Sequence, residues 1–197
     1  MSDLSYIDRN IERVRRDIEA AAYSAGRSPG EIRLLAAIKY TTPEQVARLK
    51  DCGITLVGEN RVQQLLDHEK APGLEGFEVH FIGKLQCNKA KYTVGRVSLV
   101  ESLDSLRLAE ELDRCSERAG KITDVLCEIN SGREENKSGV LPEEAAEFCA
   151  SLAGFRSLRL RGFMTMAPIC EKKADYRKYF EETYRTALDI WEKTLHN

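Results

Sequence analysis

The side chains of this chain that could carry chemistry lie within or just after short apolar runs of the sequence. They are Lys39, Asn60, His80 and Met164, with Lys137 in the long polar loop SGREENKSG. A lysine amine can attack a carbonyl carbon, and amide and imidazole groups can hydrogen-bond a small ligand. If the apolar runs are strands of one parallel sheet, we expect these side chains near the carboxyl ends of the strands, where the active sites of such sheets lie.

Each of these side chains also has an ordinary structural explanation. Lys39 ends the apolar run Ile32–Ile38, and a lysine in that place is often only a solvated strand end. Asn60 is suited to cap the next helix, and Asp104 is suited to the same role further along the chain. His80 lies inside an apolar run, where a hydrogen-bonded core histidine is the usual finding.

Strand-like and helix-like patterns alternate along the chain after one leading amphipathic helix. The predicted strands are 32–38, 54–58, 77–82, 97–101, 123–129 and 158–164. The predicted helices are 4–25, the stretch from Pro43 to a stop at Gly53, 62–69, 88–94, 106–119, 142–153 and 175–195. Alternation of this kind is typical of right-handed βαβ units and a parallel sheet. The spacing fits an open sheet or a closed barrel, and the G-x-G-x-x-G turn that would favour the open nucleotide fold does not occur.

Composition limits the classes of function. The 197 residues include 30 Lys and Arg and 32 Asp and Glu, so the formal net charge of −2 gives no reason to expect nucleic acid or an anionic membrane as a partner. No apolar stretch is long enough for a membrane span, and the charged N-terminus does not resemble a signal peptide. The six cysteines form no C-x-x-C pair, and His68, His80 and His196 complete no zinc pattern. We therefore expect buried, reduced thiols and a cytoplasmic protein.

Six segments together resemble the pyridoxal phosphate homeostasis proteins, single-domain relatives of the alanine racemase barrel. They are LLAAIKY at 34–40, GENRVQQL at 58–65, HFIGKLQCNKAK at 80–91, ESLDSLRLAEEL at 101–112, EINSGREENKSGV at 128–140 and LRGFMTMAP at 160–168. Any one of them would be weak evidence. The succession of G-E-N, H-F-I-G-x-L-Q-x-N-K and N-K-S-G along one chain is highly specific.

The resemblance implies an α/β fold, a TIM-type (β/α)8 barrel with a leading helix, as a single domain over 1–197. It also implies that Lys39 carries pyridoxal 5′-phosphate (PLP) as a Schiff base. A Schiff-base lysine needs an uncharged amine, and burial beside Ala36, Ala37 and Ile38 would favour that form. By the same resemblance, Asn60 and His80 match polar positions near the cofactor pocket, and Met164 flanks the cofactor.

The chain departs from the family pattern in two places. Its lysine segment is I-K-Y, where the family often has S-K-T or T-K-T, so Tyr40 replaces a small polar neighbour. Only about six of the eight βα units are represented, and the S-M-G-M-S and G-x-T-x-V-R-I-G segments of the family do not occur. In barrels of this type, the loops after strands seven and eight hold the phosphate. Either a truncated product or an unrepresented C-terminal portion would explain why these segments do not occur.

Four functions remain open at this point. The leading hypothesis is a non-catalytic carrier or buffer that binds PLP reversibly, limits the free reactive aldehyde and passes the cofactor to PLP-dependent apoenzymes. The alternative is a PLP-dependent amino-acid racemase or lyase on the same barrel. A Schiff-base aldolase would use Lys39 without a cofactor. A scaffold that has lost its cofactor is the fourth.

Overall fold

The computed structural model describes residues 3–70 and 73–195, which belong to two compact units that divide after His80. The helices are α1 (Ser5–Ser24), α2 (Pro43–Asp51), α3 (Val62–Lys70), α4 (Leu106–Ala119), α5 (Ala145–Leu152) and α6 (Lys173–Leu195), with short 3-10 helices at Pro29–Glu31 and Cys87–Tyr92. The strands are β1 (Leu35–Ala37), β2 (Leu56–Glu59), β3 (Glu78–Phe81), β4 (Leu99–Leu103), β5 (Thr123–Ile129) and β6 (Leu158–Thr165). Strands and helices alternate as predicted. That 1–197 forms a single domain stays a prediction.

In the first unit, β1 and β2 are parallel neighbours, and Ala37 pairs with Gly58. The Glu78 N–H donates to the Thr55 carbonyl at 2.8 Å, so the start of β3 lies alongside β2. Strand β1 is shorter than the apolar run 32–38 because the 3-10 turn at Pro29–Glu31 ends only at Ile32, whose N–H still bonds the Pro29 carbonyl at 3.1 Å.

Helix α2 has the ends that the sequence predicts. Thr42 is its N-cap: the Gln45 N–H donates to Thr42 Oγ1 at 3.4 Å, and the Thr42 N–H donates to Gln45 Oε1 at 2.7 Å. Gly53 follows the helix with a φ of 70°, a conformation that glycine adopts without strain. The Ile54 N–H then bonds the Leu49 carbonyl at 3.0 Å, so Ile54 completes the helix exit and β2 begins two residues later than predicted.

In the second unit, β5 lies between β4 and β6, and all three strands are parallel. Val125 pairs with Val100 on one side and with Leu160 on the other. Val125, Cys127 and Ile129 alternate along β5 and are buried to 1% exposure or less, so one face of this strand belongs to the core. With the pairing in the first unit, this confirms the predicted α/β class with parallel strands.

Several predicted ends and caps were wrong. Asp104 does not cap α4: Ser105 is the N-cap, and its Oγ accepts the Leu108 N–H at 3.4 Å. The helix predicted at 88–94 is instead the 3-10 helix Cys87–Tyr92, which is bonded from each N–H to the third carbonyl before it. Helix α5 begins at Ala145 rather than at 142. Before it, the Ala145 N–H bonds the Pro142 carbonyl, three residues earlier, which is a 3-10 type of turn and not an α-helical one.

The six cysteines are free thiols, of which Cys115 and Cys127 are buried and the others are half-buried. Within the described residues, no helix combines the length and apolar character that crossing a membrane requires. No group of three or more metal-ligating side chains comes together there either. His196, the third histidine of the sequence, lies outside the described residues.

Ion pairs around Glu78 predict how the stability of the first unit depends on pH. Both terminal guanidinium nitrogens of Arg33 donate to the Glu78 carboxylate, and His80 Nε2 lies 2.9 Å from Glu78 Oε1. The Arg33 and His80 bonds lower the pKa of Glu78 from 4.5 to about 2. A carboxyl group whose pKa falls on folding contributes stability above its unfolded pKa of 4.5, and that stability is lost as the pH falls toward about 2.

We expect Glu78→Gln to lower the free energy of unfolding at pH 7 by about 1 kcal/mol. This value is smaller than the full pKa change would give, because the Glu78 side chain is 39% exposed and solvent screens its ion pairs. The difference between the wild type and Glu78→Gln should shrink between pH 4.5 and pH 2. Urea unfolding of both proteins at pH 7 and pH 3 measures this. An equal difference at both pH values would contradict the assignment.

Candidate functional site

The direction of Glu59 establishes which face of β2 carries the candidate site. Glu59 is fully buried, and its Oε1 lies 2.5 Å from Nδ1 of His68 on α3. Glu59 therefore points toward the layer of helix α3. Because side chains alternate along a strand, Gly58 and the following Asn60 belong to the opposite face. Ala37, which pairs with Gly58, shares that opposite face.

Lys39 and Asn60 follow the carboxyl ends of the neighbouring strands β1 and β2. Ala37 pairs with Gly58, and the Ile38 N–H donates to the Gly58 carbonyl at 3.0 Å. Lys39 and Asn60 each come two residues after this last pair, so both leave the sheet at the same edge. The residues that follow them are also near each other, since the Arg61 guanidinium carbon lies 5.6 Å from the centre of the Tyr40 ring. The first unit thus places two of the four predicted site residues at one edge of its sheet.

The surroundings of Lys39 differ from those that the sequence predicts. The segment after β1 turns: the Thr41 N–H and Oγ1 both donate to the Ile38 carbonyl, at 3.2 and 2.7 Å, and Tyr40 has a φ of 62°. Ile38 is buried, but Lys39 is exposed, so the expectation of a buried lysine was wrong. Lys39 is exposed because it lies in a turn and not in a continuation of strand β1.

Asn60 does not act as a helix cap. Its Oδ1 is buried and has no hydrogen-bond partner among the described residues, whereas a cap would accept an N–H of the first turn of α3. The Asn60 N–H donates instead to Glu59 Oε2 at 3.2 Å. A buried acceptor without a partner is unfavourable by about 1–3 kcal/mol, so its place is one where a donor from a ligand or a water would be stabilised. Gln64 Oε1 on α3 is buried in the same way.

Burial dominates the electrostatics of Glu59. It raises the pKa of Glu59 above the ordinary value, and the contacts with His68 and with the Asn60 N–H act in the opposite direction. The carboxyl group contacts one residue of α3 and one residue of the candidate site. It therefore links the helix layer to the edge where Asn60 lies.

His80 has the structural role that its apolar setting predicts. It is 5% exposed, and its Nε2 lies 2.9 Å from Glu78 Oε1. Glu78 is the first residue of β3, so this contact directs the imidazole toward the amino-terminal half of the strand. The structure therefore gives no support to His80 as a cofactor ligand, and that role stays a prediction.

The second unit places Met164 beside a buried carboxyl group. Met164 is half-buried near the end of β6 and pairs with Glu128 of β5. Burial, with Asp104 nearby, raises the pKa of Glu128 to about 7, and Lys84 opposes that rise. Glu128 and Met164 belong to the strand face opposite the core residues of β5. That face is polar at the carboxyl end of the sheet in this unit.

The polar loop 131–139 is held close to the end of β5. Asn130 Nδ2 donates to the Glu134 carbonyl at 3.0 Å, and the Glu134 N–H donates to Asn130 Oδ1 at 3.2 Å. Val140 returns to pair with Ile129, and its N–H bonds the Glu128 carbonyl at 2.7 Å. Lys137 is exposed within this loop. The loop is therefore ordered by its own ends and leaves its lysine in solvent.

Two functional candidates were missed from the sequence. The sequence indicates His68 only as part of an incomplete zinc pattern, and it indicates Glu128 only as a residue of the predicted strand 123–129. Asp124, Leu126 and Glu128 alternate along β5 with Val125 and Cys127. Two of these three residues are acidic, a pattern that could have indicated a partly polar face of the strand. No such signal points to the pairing of His68 with Glu59, because the two are nine residues apart on different elements.

Comparison with known proteins identifies the family of this chain. The family described as alanine racemase, N-terminal domain, matches residues 2–196. A pyridoxal phosphate homeostasis protein of Aquifex aeolicus (strain VF5) is 38% identical over 172 residues, which are 87% of this chain and 75% of that protein. The chain belongs to the pyridoxal phosphate homeostasis protein family.

Two further members show how far the likeness extends. The pyridoxal phosphate homeostasis protein of Escherichia coli (strain K12) is 36% identical over 194 residues, covering 95% of this chain and 79% of that protein. The structure of PipY of Synechococcus elongatus PCC7942, solved with PLP bound, superposes with a TM-score of 0.75 at 25% identity, covering 89% of this chain and 82% of PipY. These comparisons confirm the family resemblance that the sequence predicts. They also confirm the predicted alanine racemase-like α/β fold.

Proposed function

We propose that this chain binds PLP reversibly at Lys39 and serves as a non-catalytic carrier or buffer of the cofactor. The observation that carries the proposal is that one sheet edge carries both the exposed Lys39 and Asn60, whose Oδ1 is buried and has no partner among the described residues. The family names and the PLP-bound PipY support the choice of ligand. When bound, PLP supplies an aldehyde that condenses with a primary amine and releases water.

The residues present fit the aldehyde and the ring of this cofactor. Lys39 offers a primary amine that solvent and a ligand can reach. Ala37 is small and shares the face of Gly58, which leaves space at the end of β1 for a planar ring. Asn60 offers an acceptor oxygen that lacks a donor. In this proposal Lys39 provides the covalent link and Asn60 orients the ring through one hydrogen bond. That Met164 flanks the cofactor stays a prediction.

The exposure of Lys39 favours transfer over turnover. Racemases and lyases exclude water and place acid–base groups around the reacting carbon. Here Lys39 and its neighbour Tyr40 are exposed, Tyr40 to 71%, so water and an acceptor protein have access to the amine. The imidazole of His80 on β3 lies against Glu78. An accessible link is suited to giving the cofactor to PLP-dependent apoenzymes, which are the proposed partners.

The test of the function uses purified protein that has been loaded with PLP and freed of excess ligand. We expect near-visible absorbance from the bound cofactor and faster activation of a PLP-dependent apoenzyme than free dissociation of PLP allows. The same sample, incubated with L-alanine or L-serine in deuterated water, should show negligible α-deuteration. Uptake of about one deuterium per second or more, an enzyme-like rate, would make the protein a racemase or lyase. A colourless protein after loading would exclude PLP binding altogether.

A further inference from the structure

A short chain of contacts connects helix α3 to the candidate site. His68 Nδ1 lies 2.5 Å from Glu59 Oε1, and the other carboxylate oxygen of Glu59 accepts the Asn60 N–H at 3.2 Å. Glu59 is fully buried, whereas His68 is 16% exposed in its side chain. One carboxyl group thus contacts the helix with one oxygen and the backbone of the site residue with the other.

A buried carboxylate needs such partners. Removing one partner of a buried pair leaves an uncompensated charge or an unpaired polar group, which drives the side chain to move or to take up a proton. Of the two contacts, the one with His68 comes from outside the strand. His68 therefore determines where the Glu59 carboxylate lies, and the carboxylate in turn fixes the peptide N–H of Asn60.

The side chain of Asn60 supplies an independent observation. Its Oδ1 is buried and, among the described residues, has no donor. The contact between His68 and Glu59 does not require the Asn60 Oδ1 to lack a donor. A fixed backbone with an unpaired side-chain acceptor is the arrangement expected of a residue that is preorganised for a ligand.

We propose that His68 is a positioning residue for the PLP site: through Glu59 it holds the backbone of Asn60 so that Oδ1 can accept a hydrogen bond from a hydroxyl or protonated nitrogen of the ligand. This inference rests on the proposed function, because it takes Asn60 as a contact of the cofactor. His68 itself does not touch the ligand. Its effect on binding should therefore vanish when the Asn60 acceptor is removed.

The test compares two substitutions of His68. His68→Leu removes the ring nitrogens, whereas the amide nitrogen of His68→Asn takes roughly the place of Nδ1 and keeps a donor toward Glu59. We expect His68→Leu to weaken the affinity for PLP about tenfold, as the loss of one hydrogen bond to a charged group predicts, and His68→Asn to stay within about threefold of the wild type. Gln63→Leu, on the exposed surface of the same helix, is the matched control.

A double-mutant cycle separates positioning from general stabilisation. Asn60→Ala should weaken binding, and adding His68→Leu to it should have little further effect, because both act through one oxygen. Additive losses, or equal losses for His68→Leu and His68→Asn, would show that His68 acts only on stability. If His68→Leu does not fold, His68→Gln replaces it in the cycle, since its longer side chain displaces the donor.

A second readout does not depend on PLP. In the ligand-free protein, the backbone amide resonance of Asn60 should shift in His68→Leu and return toward its wild-type position in His68→Asn. An amide resonance that His68→Leu leaves in place would overturn the inference, even if PLP binds at Lys39. If the Asn60 amide resonance shifts in His68→Leu but the wild-type protein binds no PLP, the link from His68 to Asn60 stands and the proposed function is rejected.

Discussion

Borohydride reduction of the PLP-loaded protein is expected to leave one pyridoxyl group, and to leave it on Lys39. Lys39 is exposed and follows β1 at the sheet edge where Asn60, with its buried acceptor, follows β2, so its amine is accessible at the candidate site. Reduction converts the link to a stable amine, which peptide mass spectrometry locates. Lys39→Arg keeps the positive charge but cannot form the link, and it should lower the bound cofactor at least about tenfold.

The control for this experiment is another exposed lysine near strand ends. Lys84→Arg changes a lysine that lies among the polar groups of the second unit, near Glu128, and should leave the adduct unchanged. An adduct found mainly on Lys89, Lys91 or Lys137 would move the covalent site to one of these residues. Such a result would also remove the reason for placing Asn60 in contact with the cofactor.

Gly139→Ala is expected to destabilise the second unit by about 2–4 kcal/mol. Gly139 has a φ of 111°, a region that alanine rarely adopts, and an added Cβ would lie 2.6 Å from the Asn130 backbone nitrogen. That nitrogen donates to the Val140 carbonyl at 2.9 Å and forms part of the pairing that returns the loop to β5. Neither the backbone of Asn130 nor that of Ile129, 3.0 Å from the added atom, can yield without breaking this pairing.

Urea unfolding followed by far-ultraviolet circular dichroism measures the change, with Gly154→Ala as the control. A Cβ at Gly154 would lie 3.6 Å from the Ser151 carbonyl oxygen, an ordinary contact, and Gly154 has no left-handed φ. Its effect should stay within about 0.5 kcal/mol, as for most surface substitutions. Equal stabilities for the two variants would mean that the loop 131–139 does not depend on this close approach.

The sequence alone was sufficient for the order of elements and for several of their ends. Apolar runs and amphipathic periods are local properties, so the alternation of strands and helices can be recognised without any tertiary contact. Thr42 and Gly53 could be assigned to the ends of α2 because capping and left-handed φ depend on neighbours in sequence. Where two neighbours could cap the same helix, as Asp104 and Ser105 could, the local rule did not choose correctly.

The sequence also selected Lys39 and Asn60, since a polar residue directly after an apolar strand marks the carboxyl edge of a parallel sheet, and the family segments contain both. Only the tertiary structure decided their environment. The turn at Tyr40 leaves Lys39 in solvent, and the direction of Glu59 ties Asn60 to His68 on α3. These features depend on strand register and on helix packing, which join residues far apart in sequence. For the same reason, the raised pKa of Glu128 could not be predicted, because burial between strands produces it.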